Sequence, residues 1–187
     1  MLVLFVGACG GGSSSSSAPP ASPSPSLTLT TGPPPWPGPT VGVSALAETA
    51  GLPMLPKEAL NEHIHAHLDV FFQGQSVTVP ADIGIDLVAQ AISPLHTHDT
   101  SGVVHIESPT VKDYRLGQFF TEWGVQMANG CVAGLCAPQY AIALYVNGNA
   151  VQTPPEALVL HAHDEIALVI GTPPSTIPGS FAFPAGY

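Results

Sequence analysis

Polar and apolar residues alternate through His-Ile-His-Ala-His-Leu-Asp-Val-Phe-Phe at 63–72, which sets Ile64, Ala66, Leu68, Val70 and Phe72 on one side. A period of two over that length predicts a half-buried strand. Gln73-Gly74-Gln75 supplies a turn, and residues 76–80 read as a second strand folding back as a hairpin. Residues 102–108 alternate again, with Val104 and Ile106 on one face and Val103, His105 and Glu107 on the other. The period then changes. Leu116, Phe119, Phe120 and Trp123 fall at i, i+3, i+4 and i+7, a helical stripe ended by Gly124, with Asp113 as its expected N-cap. Residues 140–146 and 150–151 flank Asn147-Gly148-Asn149, a second hairpin signal, and Glu165 to Ile170 form a last apolar strand.

The order β-β-β-α-β-β predicts an α+β domain, a small mixed or antiparallel sheet with one packed helix. Its last hairpin and strand look like those of β-grasp modules. A cupredoxin-like β-sandwich is the alternative, because periodicity supports a single helix.

Before this domain the pattern is different. Met1-Leu-Val-Leu-Phe-Val-Gly-Ala-Cys9 is an apolar run closed by a cysteine, and it resembles a bacterial lipobox. The resemblance implies export and a lipid anchor on Cys9. Lys or Arg is expected ahead of such a run, yet the first charged residue is Glu48, so the true start is expected upstream of Met1. About eight apolar residues are too few to span a bilayer, which takes about 20. From 10 to 40 the chain holds 9 Pro, 8 Ser and 5 Gly. Residues 10–42 therefore read as a disordered tether, with Trp36 incidental to it, and 43–187 as one globular domain. Thr172-Pro-Pro and Ile177-Pro-Gly predict an extended tail laid over that domain.

Charge narrows the possible partners. The 187 residues carry 3 Lys+Arg against 13 Asp+Glu, a formal net charge of −10. Binding to a phosphate backbone needs clustered cations, so nucleic acid is excluded as a partner, and an anionic membrane surface is disfavoured. All of the acidic balance lies after residue 47, inside the folded domain. Cys131 and Cys136 form a CxxxxC loop that an exported chain is free to oxidise to a disulfide; reduced thiols or a metal thiolate are the alternatives.

The 8 histidines outnumber the cations and fall into three groups. His63, His65 and His67 project to one strand face at about 6.6 Å spacing, and Asp69 continues that face. His96 and His98 precede Asp99, with His105 and Glu107 on the next strand; His161 and His163 form a third HxH pair. Imidazoles at i and i+2 can converge on one transition-metal ion, and imidazole with carboxylate suits Zn or Cu(II) better than Cu(I). The expected ligands are His63, His65, His67, His96, His98, His105 and Glu107 around one site. Asp69 and Asp99 would orient ligand rings, and His161 and His163 would belong to a second, weaker site. The competing reading is a hydrogen-bonded histidine network without metal, in which Asp99 caps a turn ahead of Gly102.

The segments His96-Thr-His-Asp-Thr-Ser-Gly-Val-Val-His-Ile-Glu107 and Leu116-Gly-Gln-Phe-Phe-Thr-Glu-Trp-Gly124, with the HxHxH strand, resemble a family of exported prokaryotic proteins of unknown function. The match spans about 62–171 and implies export, but names no substrate. The cupin HxH motif is a poorer match, since its Glu follows sooner. GxSxG, HExxH and a phosphate-binding glycine loop are all missing. Three functions stay open: a lipid-anchored metal-binding or carrier domain with no assigned protein partner, a metal-dependent enzyme, and an interaction domain with structural histidines.

Overall fold

In the computed structural model, which describes Met1 and residues 27–187, the 63–72 alternation becomes the longest strand, β1 (Glu62–Phe72). Cys9 and the first part of the expected tether lie outside the described residues. A short helix, α1 (Val43–Thr49), precedes β1. After it come β2 (Gln75–Val77), β3 (Ile85–Asp86), β4 (Ala91–Ile92), β5 (Leu95–His96) and β6 (Val103–Ser108). The chain continues through α2 (Leu116–Glu122), β7 (Met127–Ala128), β8 (Cys131–Val132), β9 (Ile142–Val146), β10 (Asn149–Val151) and β11 (Glu165–Ile170).

The domain is α+β, with a main sheet in the order β10-β9-β11-β1-β6-β5. β1 is parallel to β11, whereas β6, β2 and the remaining neighbours pair antiparallel. Along one edge of β1, β6 takes residues 62–67 and β2 takes 70–72. The β9–β10 turn is Asn147-Gly148, both residues with positive φ as a two-residue hairpin requires.

One sheet face carries the expected apolar set. Ala66, Leu68 and Val70 of β1 join Val104, Ile106, Ile166, Leu168 and Leu144 in a single core with Leu116, Phe119, Phe120 and Trp123 of the α2 stripe. Each large side chain buried there adds about 1.5–3 kcal/mol. The opposite face has a smaller apolar cluster, Phe71, Ala167 and Val169, on which Ile177 of the C-terminal tail packs. The tail runs on over this face, with Phe181 stacked on His67 at 3.8 Å and Tyr187 4.5 Å from the His65 ring.

Three local expectations change. A second helix exists: α1 buries Val43, Leu46 and Ala47 and packs against α2, but seven residues are too few to display a helical period. The N-cap of α2 is Arg115, whose N–H donates to the Gln118 side chain at 3.0 Å, and Asp113 lies two residues further out. The proline-rich stretch, read by composition as tether to residue 42, is held against the domain from Thr30 onward, mostly exposed but anchored at Trp36. Thr30 bridges to Val125, and Trp36 is 2% exposed within the core. Composition misses this because one aromatic among prolines contributes an anchor without any periodicity.

Candidate metal centre

Strand register assembles the site. Antiparallel pairing of β1 with β6 sets His65 opposite His105 and His63 opposite Glu107, and β5 sets His96 opposite His105. Directly opposed residues share a sheet face, so two HxH-type repeats and a third strand place their polar side chains on one patch. His98 follows just past the end of β5. The donor atoms of His96, His98, His105 and Glu107 all lie within 4.8 Å of one another, and so do those of His63, His65 and Glu107.

Hydrogen bonding fixes which nitrogens are free. His96 Nδ1 lies 2.9 Å from the Ser93 carbonyl, which can only accept, so Nδ1 carries the proton and Nε2 keeps its lone pair. That Nε2 faces His98 Nε2 at 3.2 Å. His105 Nδ1 lies 3.3 Å and His63 Nε2 3.4 Å from Glu107 Oε1, and Glu58 Oε1 lies 3.4 Å from His98 Nε2. A tetrahedral ion with bonds of about 2.0–2.1 Å sets its donors about 3.3 Å apart, which the His96–His98 and His105–Glu107 separations match, while the four donors as a set lie within 4.8 Å.

The electrostatics favour neutral imidazole. Burial, with the neighbouring imidazoles adding to it, holds His96 and His105 down at about 3 and His65 at about 4. Their rings are therefore uncharged at neutral pH, the form that binds metal. Glu107 is pushed up by burial and by the Glu58 charge, and its buried Oε2 has no hydrogen-bond partner. An orphaned carboxylate oxygen is a costly arrangement that a cation would relieve. The His63 and His98 side chains remain 39% and 43% exposed, so the patch opens to solvent there.

Other expected residues lie elsewhere. His67, read as a ligand of the same site, stands apart because both ring nitrogens are taken: Nε2–H donates to the Ser101 carbonyl and Nδ1 pairs with Glu165, each at 2.8 Å. Burial pulls the His67 pKa down, but the Glu165 hydrogen bond and charge outweigh it and leave it above the ordinary value. Gly102 permits this arrangement, since a Cβ there would sit 2.7 Å from the Leu68 carbonyl and 3.0 Å from His67 Nε2. Asp69 belongs with His67 and Glu165 in a separate group of close donor atoms. Asp99 Oδ1 accepts the Ser101 N–H at 2.8 Å and so shapes the turn before Gly102. His161 is paired with Asp164 at 3.4 Å, and His163 Nε2 donates to the Tyr187 carbonyl at 3.0 Å. Neither joins the cluster. Cys131 and Cys136 are joined in a disulfide with Cα atoms 4.7 Å apart, which removes both sulfurs from thiolate chemistry.

Sequence reasoning overlooks Glu58, which sits in an irregular segment with no motif, and the aromatic cover supplied by Phe181 and Tyr187. Glu122 is a third omission. This helical carboxyl is fully buried, with neither oxygen hydrogen-bonded, and burial pushes it up to about 8. Comparison of the chain with family models, with curated proteins and with solved structures finds no match.

Proposed function

We propose that this chain binds a transition-metal ion, Zn(II) or Cu(II), through His96, His98, His105 and Glu107, and that it captures or carries the metal as a lipid-anchored domain outside the cytoplasm. The observation that carries the reading is the mutual approach of these four donors, with the bare Nε2 of His96 turned toward His98. Three imidazoles and one carboxylate match the preferences of Zn(II) and Cu(II), and among the described residues no cysteine joins this cluster. The anionic domain adds a favourable field for a cation. Export and anchoring through Cys9 belong to the same reading, as does the resemblance to exported prokaryotic proteins.

The fold belongs to this proposal as well. Strand order β2-β1-β11-β9, parallel at β1–β11 and packed against α2, supports a β-grasp-like arrangement over a cupredoxin-like sandwich.

The test is metal retention. The full chain, dialysed against buffered Zn(II) or Cu(II) and then against metal-free buffer, retains stoichiometric metal by elemental analysis. His98→Ala and His105→Ala retain less of it. Full retention in both variants, or none in the unaltered chain, sinks the proposal.

A further inference from the structure

The donors around Glu107 exceed what one ion takes. Zn(II) in a protein site fills its shell with about four donors, whereas five imidazoles and Glu107 occupy this patch. They divide into two sets, His96, His98 and His105 with Glu107, and His63 and His65 with Glu107. Glu107 is the member common to both. Its Oε1 makes one contact in each set, to His105 Nδ1 and to His63 Nε2, while Oε2 is buried and unpartnered. The direct cross-strand pair His65–His105, ring centroids 4.6 Å apart, holds the sets side by side. In two-metal sites the ions sit about 3.5–4 Å apart, and at that distance their repulsion calls for an anion between them. A carboxylate shared by two ligand sets is such a group.

We infer that the patch is a dinuclear centre, with a second transition-metal ion held by His63 and His65 and bridged through Glu107 to the ion at His96, His98 and His105. This rests on the proposed metal-binding function and extends it to a second site.

Native mass spectrometry of the metal-stripped full chain, titrated with Zn(II) alone, counts the ions directly. Two ions per chain are expected, one in His63→Ala, and two in His161→Ala/His163→Ala, which removes the exposed pair as a source. A single ion in the unaltered chain, or two in His63→Ala, overturns the second site and leaves the proposed function standing. No bound ion overturns both. A second measurement needs no variant: with two equivalents of Cu(II), bridged ions couple and the isolated-ion paramagnetic resonance signal falls below its one-equivalent intensity. A doubled, uncoupled signal overturns the bridge.

Discussion

His96 Nε2 and His98 Nε2 face one another at 3.2 Å, with the other nitrogen of His96 committed to the Ser93 carbonyl. In the metal-free chain the His98 Nε2–H donates to the His96 Nε2 lone pair, and a cation would take that proton's place between the two nitrogens. Zn(II) is therefore expected to stabilise the fold: a ligand at about 100 times its Kd adds about 2.7 kcal/mol to the unfolding free energy. His98 is half-exposed, so His98→Ala is expected to leave the melting temperature of the metal-free chain nearly unchanged and to diminish the Zn(II)-dependent rise. Differential scanning calorimetry with and without Zn(II) reads both.

The His67–Glu165 pair should behave in the opposite way. Both side chains are buried, and removing one leaves a charge without a partner, at a cost of about 3–5 kcal/mol. His67→Leu is expected to lose stability on that scale while retaining metal. The His67 pKa is raised in the folded state, so its stabilising contribution is complete below about pH 6.5 and fades as pH rises through the higher folded value. Urea unfolding of the metal-free protein at pH 6 and pH 9 should show the penalty of the substitution shrinking at the higher pH.

Glu122 imposes a pH slope of its own. Its folded pKa is about 8 against an ordinary 4.5, so the folded state keeps a proton that the unfolded chain releases. Stability from this group therefore falls as pH rises from about 4.5 to about 8. Glu122→Gln is expected to remove that slope and to raise stability at pH 8 by on the order of 2–4 kcal/mol. An unaltered pH dependence of urea unfolding in this variant would contradict the assignment.

Trp36 ties the proline-rich segment to the domain. Its ring meets Trp123 edge-on at 5.9 Å, and the Trp123 indole N–H donates to the Trp36 carbonyl at 3.1 Å. Trp36→Ala is expected to cost about 3–5 kcal/mol, as for other buried aromatics. A chain begun at residue 41 should lose a similar amount, whereas a true tether would be removable without effect on the thermal transition.

Much of the sheet was legible because its strands obey a period of two. β1, β6 and the Asn147-Gly148 hairpin followed from alternation and turn chemistry, and α2 from the four-residue stripe ending at Trp123. The two-residue strands β3, β4, β5, β7 and β8 were not legible, since so few residues display no period. The site was half legible. Spacing alone placed His63, His65, His105 and Glu107 on strand faces, but the register that sets His65 opposite His105 arises from pairing between distant segments. Spacing equally could not separate His67 from its neighbours, because that separation depends on Glu165, 98 residues away in the chain. Trp36 went unrecognised because a proline-rich stretch can be packed by one aromatic anchor without apolar periodicity.

X-ray absorption on the Zn(II)-loaded full chain tests the central claim most directly, because it reads the atoms around the ion. The account predicts a first shell of imidazole nitrogen and carboxylate oxygen at about 2.0–2.1 Å, with the outer-shell scattering that imidazole rings produce and no sulfur near 2.3 Å. A shell of oxygen alone without ring scattering, or a sulfur shell, would contradict it.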